Sequence, residues 1–419
     1  MPDTVVVGEK LHHNHSSQAS LEFPLYHFLF VQRGLERKRR FQVVANKQQC
    51  AGLEELLRVT VVGPTDKEMA EFGTEKGLAK ELFQETVYLA LKNPQHGKPF
   101  KIQEMINFCP VDSGGSLTLY PKRGKLPALE LERKGGEEFR VTLGEETFDI
   151  DISVSKEQTP IYKIKKEKLN RAKGQFTLAV LGRSNGFDPN DPANGYLINV
   201  DGRIVLWDCP AYMHHHLHGM GVKDTDVEAL ILSHVHEDHI DTTESLRDKP
   251  FDLYTTPEIY YSLLIKLSAV FNCSLDEARK FHNWHPVETG KPVDICGAQF
   301  TFFHSVHAIP SLGARIQKDI NGRKGLLHIT GDHLSNEVLA QMRKDGGISE
   351  RRYDQVTNIL DGEETLILVD AGGGAIHGDY REYLDHQGRI AFMHTGLIQD
   401  KLPKGKFLAA SGQVLDVLG

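Results

Sequence analysis

The sequence has no uninterrupted apolar run near the roughly 20 residues that a membrane-spanning helix needs. It also has no basic excess: 49 Lys and Arg stand against 57 Asp and Glu, a net charge of −8. That balance disfavours broad attachment to a polyanion and leaves only local basic patches to consider. Cysteine is sparse. Cys50, Cys109, Cys209, Cys273 and Cys296 are odd in number and widely spaced, which argues against a disulfide framework and against a cysteine-based zinc cluster. They are expected to be buried small hydrophobes. The start, MPDTVVVGEKLHHNHSS, lacks the basic end, apolar core and small-residue cleavage site of a secretory leader, so a cytoplasmic protein is expected. Internal repeats and low-complexity tracts are missing too.

What remains is an ordinary folding composition, 40% hydrophobic and 25% charged over 419 residues, enough for two or three domains. The pattern changes near residue 165. Before it, Pro64 to Leu91 has apolar residues at three- and four-residue steps after a Pro-Thr-Asp start signal, which predicts helix. "FRVTLGEETFDIDISVS" alternates around a Gly-Glu-Glu turn, which predicts a hairpin. The lysine-rich "YKIKKEKLNRAKG" is a linker candidate or a solvated helix face. From Phe176 onward, short apolar runs alternate with helical stretches such as "PEIYYSLLIKLSAVF", and "INVDGRIV" carries an Asp-Gly hairpin signal. These runs repeatedly end in His or Asp. Two packed sheets with a site along one edge, flanked by helices, would produce that pattern.

The densest chemistry is "ILSHVHEDHIDTT", where His234, His236, Asp238 and His239 follow the end of a buried strand. On extended backbone His234 and His236 can face one position while Asp238 and His239 address another, a spacing that suits two cations held close together. Imidazole and carboxylate donors suit zinc, with iron or manganese as alternatives.

With "LGRSNGFDPNDPANGYLI" and "VLWDCP" before this motif and "HAIPSLGARI", "HITGDH" and "FMHTG" after it, residues from Phe176 onward resemble the metallo-β-lactamase superfamily, most of all its ribonuclease Z and cyclic-nucleotide phosphodiesterase branch. The resemblance implies an αββα sandwich over residues 166–419, preceded by a separate α+β domain over residues 1–165. It implies that His234, His236 and His307 hold one metal, that Asp238, His239 and His394 hold a second, and that Asp332 bridges them. Asp208 would orient the metal loop. His304 would be a supporting group or a core histidine. Two divalent ions, zinc first among them, would share a hydroxide that attacks a phosphodiester, with Asp238 orienting or deprotonating it.

"VDAGGGAIHGD" offers Gly372, Gly373, Gly374 and His377 for contact with a phosphate, His377 also as a proton donor, with Asp370 bonding a neighbouring loop. In "YMHHHLHG", His214, His215, His216 and His218 are polar loop residues, one or two of them candidates for substrate contact. The expected reaction is hydrolysis of a small cyclic nucleotide by a homodimer. The alternatives are a ribonuclease Z-like RNA endonuclease and a diiron redox or oxygen-sensing protein. The RNA reading would need a basic arm, and "RGLERKRR" (33–40) is a dense basic cluster whose commoner meaning is a solvated surface segment. Residues 1–165 could serve dimerisation, act as a lid or sense a ligand.

Overall fold

The computed structural model describes residues 3–13, 16–17, 21–120, 127–153, 159–164, 167–240, 252–360, 362–395 and 398–419. Its centre is a pair of seven-stranded sheets. The first runs in the order Asn283–Pro286, Asp252–Thr255, Val227–Ile231, Arg203–Trp207, Gly195–Val200, Phe176–Gly182 and Val414–Asp416. The second runs Pro292–Ile295, Ala298–Ser305, Ser311–Ile320, Arg323–Ile329, Leu366–Asp370, Ile390–Met393 and Lys406–Leu408.

The apolar runs make these strands because they are buried on both faces. Every residue of Phe176–Gly182 and of Gly195–Val200 is buried, which explains why they read as continuous runs rather than alternations. Trp207 from one sheet stacks on Phe302 from the other at 6.5 Å between ring centroids, inside one shared core. The Asp-Gly turn forms as expected: Asp201 and Gly202 both have positive φ, 56° and 92°, and Val200 pairs with Arg203 across it.

In each sheet the pairing is antiparallel on one side and parallel on the other, from Arg203–Trp207 through Asn283–Pro286 and from Arg323–Ile329 through Lys406–Leu408. Parallel strands end on the same side, and that is why Asp208, His234, Asp332, Asp370 and His394 gather at one edge. Asp208 and His394 each stand in the left-handed region directly after a strand, at φ 57° and 61°, a conformation that turns the chain sharply at the site.

Before the sandwich, Thr4–Val6, Phe41–Ala45 and Ile106–Pro110 form a parallel sheet. Asn46 then starts helix Lys47–Val61, its side chain accepting from Gln49 N–H while Gln49 answers back. That helix lies against Pro257–Phe271: Leu53 and Leu57 share a core with Val270, and a Cβ on Gly52 would come 3.4 Å from Ala269. The single helical pattern over 64–91 is two helices, Asp66–Phe72 and Lys76–Leu89. Gly73 at φ 126° breaks them, because its backbone leaves the helical region although the apolar spacing continues. The expected hairpin is Glu138–Leu143 with Glu146–Asp151, the outer half of a four-stranded antiparallel sheet whose last strand is exposed at every residue.

The lysine-rich segment lies partly outside the described residues, and its described part has no regular element. All five cysteines are thiols, four of them buried. Among the described residues no helix is long and apolar enough to cross a membrane.

Candidate metal centre

The loop after Val227–Ile231 is fixed from beneath by Asp208. Its carboxylate accepts from Ser233 N–H at 2.8 Å, from Ser233 Oγ at 2.7 Å, and faces His239 Nδ1 at 2.7 Å. A carboxylate holding one ring nitrogen fixes the tautomer and leaves the other to act as a ligand. His307 is held likewise by the Ile376 carbonyl at Nδ1, 2.9 Å, and His236 by the Thr60 carbonyl at Nε2, 3.0 Å.

The free ring nitrogens then converge. His236 Nδ1 lies 3.0 Å from His234 Nε2 and 3.2 Å from His307 Nε2. Beside them, Asp238 Oδ2 is 3.1 Å from His394 Nε2 and 3.5 Å from His239 Nε2. Asp332 lies between the two groups. Its Oδ2 is 3.8 Å from His234, 3.7 Å from His307 and 3.4 Å from His394, and its Oδ1 is 3.4 Å from His239. All seven side chains are buried. The seven residues named from motif order thus meet in space as two donor sets sharing Asp332.

Three imidazole nitrogens pointing at one another cannot all be satisfied by protons, whereas one cation satisfies them together. His239 Nε2 and Asp332 Oδ1, both buried, have no hydrogen-bond partner. The donor atoms within each of the sets His234, His236, His307 and Asp238, His239, His394 all lie within 4.8 Å of one another. The residues present therefore fit a pair of divalent cations.

Electrostatics agree with that fit. Burial, with neighbouring imidazoles, pulls His234 and His236 well below their ordinary range, and burial brings His307 to about 4 against the pull of Asp332. These rings are neutral, as metal ligands must be. Burial pushes Asp238 and Asp332 up, but the adjacent imidazoles outweigh it and hold both carboxyls well below the usual range. Burial likewise opposes charge on His394, yet Asp332 and Asp238 raise it to about 9. The carboxylates thus set up a strongly negative field at the point where the cations would sit.

His377 joins the rim. Its Nδ1 is 2.9 Å from Asp370 Oδ2 and its ring stacks on His394 at 4.4 Å between centroids. Asp370 Oδ2 also accepts from His333 N–H at 3.0 Å, which ties it to the neighbouring loop. In the glycine turn, two of the three N–H groups have partners close at hand. Gly372 N–H is engaged by Asp370 Oδ1 and Gly373 N–H by the Gly378 carbonyl, so these two donors are used inside the turn. Gly372 is needed for space: a Cβ there would come 2.9 Å from His377 Cγ and 3.0 Å from His394 Nδ1. His304 lies outside the cluster, with Nε2 2.6 Å from Glu258 Oε1. His214 faces Asp224 at 2.8 Å and His216 faces the Tyr162 hydroxyl at 3.0 Å, both away from the seven ligands.

Paired sheets of this order, with a His-x-His-x-Asp-His loop at the shared strand edge, decide the fold. The later part of the chain has the metallo-β-lactamase fold. Within this metallo-β-lactamase-fold part, a family model described as Anti-Pycsar protein Apyc1 matches residues 176–346. The chain is 29% identical over 204 residues to the cGMP-dependent 3',5'-cGMP phosphodiesterase A of Dictyostelium discoideum, covering 48% of this chain and 23% of that protein. It is 26% identical over 214 residues to the cAMP/cGMP-dependent 3',5'-cAMP/cGMP phosphodiesterase B of the same organism, covering 50% and 19%. The chain therefore spans less than a quarter of the length of either relative. A diphosphatase of the PhnP family is a solved neighbour at 18% identity and TM-score 0.43, covering 57% of this chain and 96% of its own.

Sequence reasoning missed the N-terminal side of this site. Thr60 reaches His236 through a backbone carbonyl, which no side-chain motif reports. Glu22 accepts from Glu237 N–H at 2.8 Å and from Lys266 Nζ at 2.8 Å, and Glu237 Oε2 in turn accepts from Glu22 N–H at 2.8 Å.

Proposed function

We propose that the protein hydrolyses a phosphodiester, in a small cyclic nucleotide, at a dinuclear centre held by His234, His236 and His307 on one side and Asp238, His239 and His394 on the other, with Asp332 shared. The observation that carries this reading is the convergence of two donor sets on one buried carboxylate beside a cavity of about 400 Å³. Pockets of roughly 300–1,000 Å³ accommodate small ligands. Such cations, when bound, lower the pKa of water and neutralise charge on the phosphate oxygens.

The chain's own residues do the rest. Asp238, ionised and beside His394, orients the attacking water. Asp370 Oδ2, 2.9 Å from His377 Nδ1, orients that ring, so that in its doubly protonated form Nε2–H is the donor to the leaving oxygen. Asp208 keeps His239 in the ligand tautomer. The phosphodiesterases among the relatives support the same substrate class. The basic cluster at 33–40 is not part of the cavity lining, and Arg33 pairs with Glu36 in solvent, which disfavours a groove for folded RNA.

The test is metal analysis of the purified protein with a hydrolysis screen across cyclic mononucleotides, cyclic dinucleotides, bis-p-nitrophenyl phosphate and precursor tRNA. About two divalent ions per chain and turnover of a cyclic mononucleotide are expected. Turnover of precursor tRNA alone, falling steeply with salt, would overturn the proposal.

A further inference from the structure

We propose that the N-terminal residues are part of the active site, and that Phe23, carried by them, forms with Phe187 an aromatic wall that recognises the base of the substrate. The inference rests on the cyclic-nucleotide reading and adds to it the residues that select the substrate.

Three separate contacts hold residues 21–62 against the metal loop and the adjacent turn at Gly186. Glu22 and Glu237 bond each other's backbone N–H reciprocally while Lys266 neutralises Glu22 and also donates to the Val235 carbonyl at 2.8 Å. The Thr60 carbonyl orients His236. Phe23 packs onto Gly186, where a Cβ would meet Phe23 Cζ at 2.3 Å and Asp238 Cβ at 3.0 Å. Gly186 stands at φ 77°, so it is needed both for its turn and for this close approach. A ring from the N-terminal part therefore sits one glycine away from a proposed metal ligand.

The cavity beside the proposed metal centre is lined on that side by Phe23, Tyr26, Phe30 and Phe187. Phe23 and Phe187 meet edge to face at 5.3 Å between centroids, and Phe30 is 55% exposed on the outer lip. Flat apolar rings beside a phosphate-binding centre suit a planar aromatic group attached to the phosphodiester, because every base offers a π-face whatever its hydrogen-bonding edge. Thr60, Asn185 and the Tyr26 hydroxyl, which donates to Glu22, are the few polar groups on this wall, so stacking rather than edge reading would select the ligand.

The experiment compares cyclic AMP with methyl riboside 3',5'-cyclic phosphate, which keeps the cyclic ester and lacks a base. Wild-type kcat/KM is expected to favour cyclic AMP. The Phe23→Leu, Phe187→Leu double variant, which keeps apolar volume and removes the ring faces, is expected to lower that preference about tenfold, chiefly through KM for cyclic AMP. Should the double variant not fold, Phe30→Leu tests the same wall at an exposed ring and is expected to shift the ratio in the same direction. Equal wild-type activity on the two esters, or a ratio that the variants leave unchanged, overturns the inference while the phosphodiesterase reading stands. Preference for a long-chain alkyl phosphodiester over both would also overturn it, assigning the wall to an acyl chain. A wild type that leaves every cyclic nucleotide intact while cleaving another phosphodiester removes the cyclic-nucleotide reading and the inference with it.

Discussion

Glu22 with Lys266 and Glu85 with Arg352 are the same chemistry at two places where N-terminal residues meet the sandwich. Both pairs are buried, with the partners at 2.8 Å and 2.9 Å. They differ in what else they hold. Glu22 and Lys266 grip the backbone of Glu237 and Val235, inside the His-x-His-x-Asp-His loop. Arg352 instead donates to the His304 carbonyl, and His304 is occupied with Glu258, outside the ligand cluster. The comparison separates two consequences of burying a charge: both pairs should matter to folding, and only the first should matter to chemistry.

The reference point for a disabled site is Asp332→Ala, where the largest effect is expected. It removes the one carboxylate shared by both donor sets, so metal content should fall below the wild-type value and turnover by roughly 10³-fold or more. Elemental analysis and phosphodiester hydrolysis on the same preparation check both. Unchanged metal content would remove Asp332 from the ligand set.

Glu22→Ala comes next. It leaves Lys266 buried without its carboxylate and releases Glu237 N–H, so stability should drop by about 3–5 kcal/mol. Turnover of the fraction still folded should also fall, by roughly 10–100-fold, as for other residues that orient metal ligands. Urea unfolding and kinetics at a temperature well below the transition distinguish the two effects. Full activity per folded molecule would break the comparison, since the Glu22 contact would then be as silent as its counterpart.

Arg352→Ala is that counterpart. It should cost a similar 3–5 kcal/mol, because Glu85 is left buried and unpaired, yet keep kcat and metal content in the folded protein. A loss of metal would mean that the His304 strand transmits strain to His307, which lies three residues on.

The asymmetry between these pairs explains how much could be read beforehand. The sandwich was legible because strands buried on both faces leave continuous apolar runs, and because parallel strands deliver their last residues to one edge; His234, Asp332 and His394 follow such runs in order. His307 and His304 differ by three positions, and motif order was needed to choose between them. The N-terminal contribution left no comparable trace. Thr60 acts through its carbonyl, Glu22 and Lys266 are 244 positions apart, and Phe23 reads as an ordinary apolar helix residue. The glycine turn showed a different limit: its residue types suggest a phosphate cradle, but which N–H groups are already engaged is visible only in three dimensions.

The smallest effect is expected where the N-terminal residues face water. Arg140 and Asp149 pair across the last two strands of the four-stranded sheet at 2.8 Å, with both side chains exposed. Arg140 raises its partner's preference for the charged form, holding the Asp149 carboxyl below the usual range. Solvent screens such a pair, and the order it imposes on two long side chains offsets the attraction. Arg140→Ala should therefore leave the thermal midpoint, metal content and turnover within experimental scatter of wild type. A midpoint lowered by several degrees would mean that this sheet is covered in solution, because only a desolvated pair could contribute that much. The contrast with Glu22 would then rest on what the sheet is packed against rather than on burial within one chain.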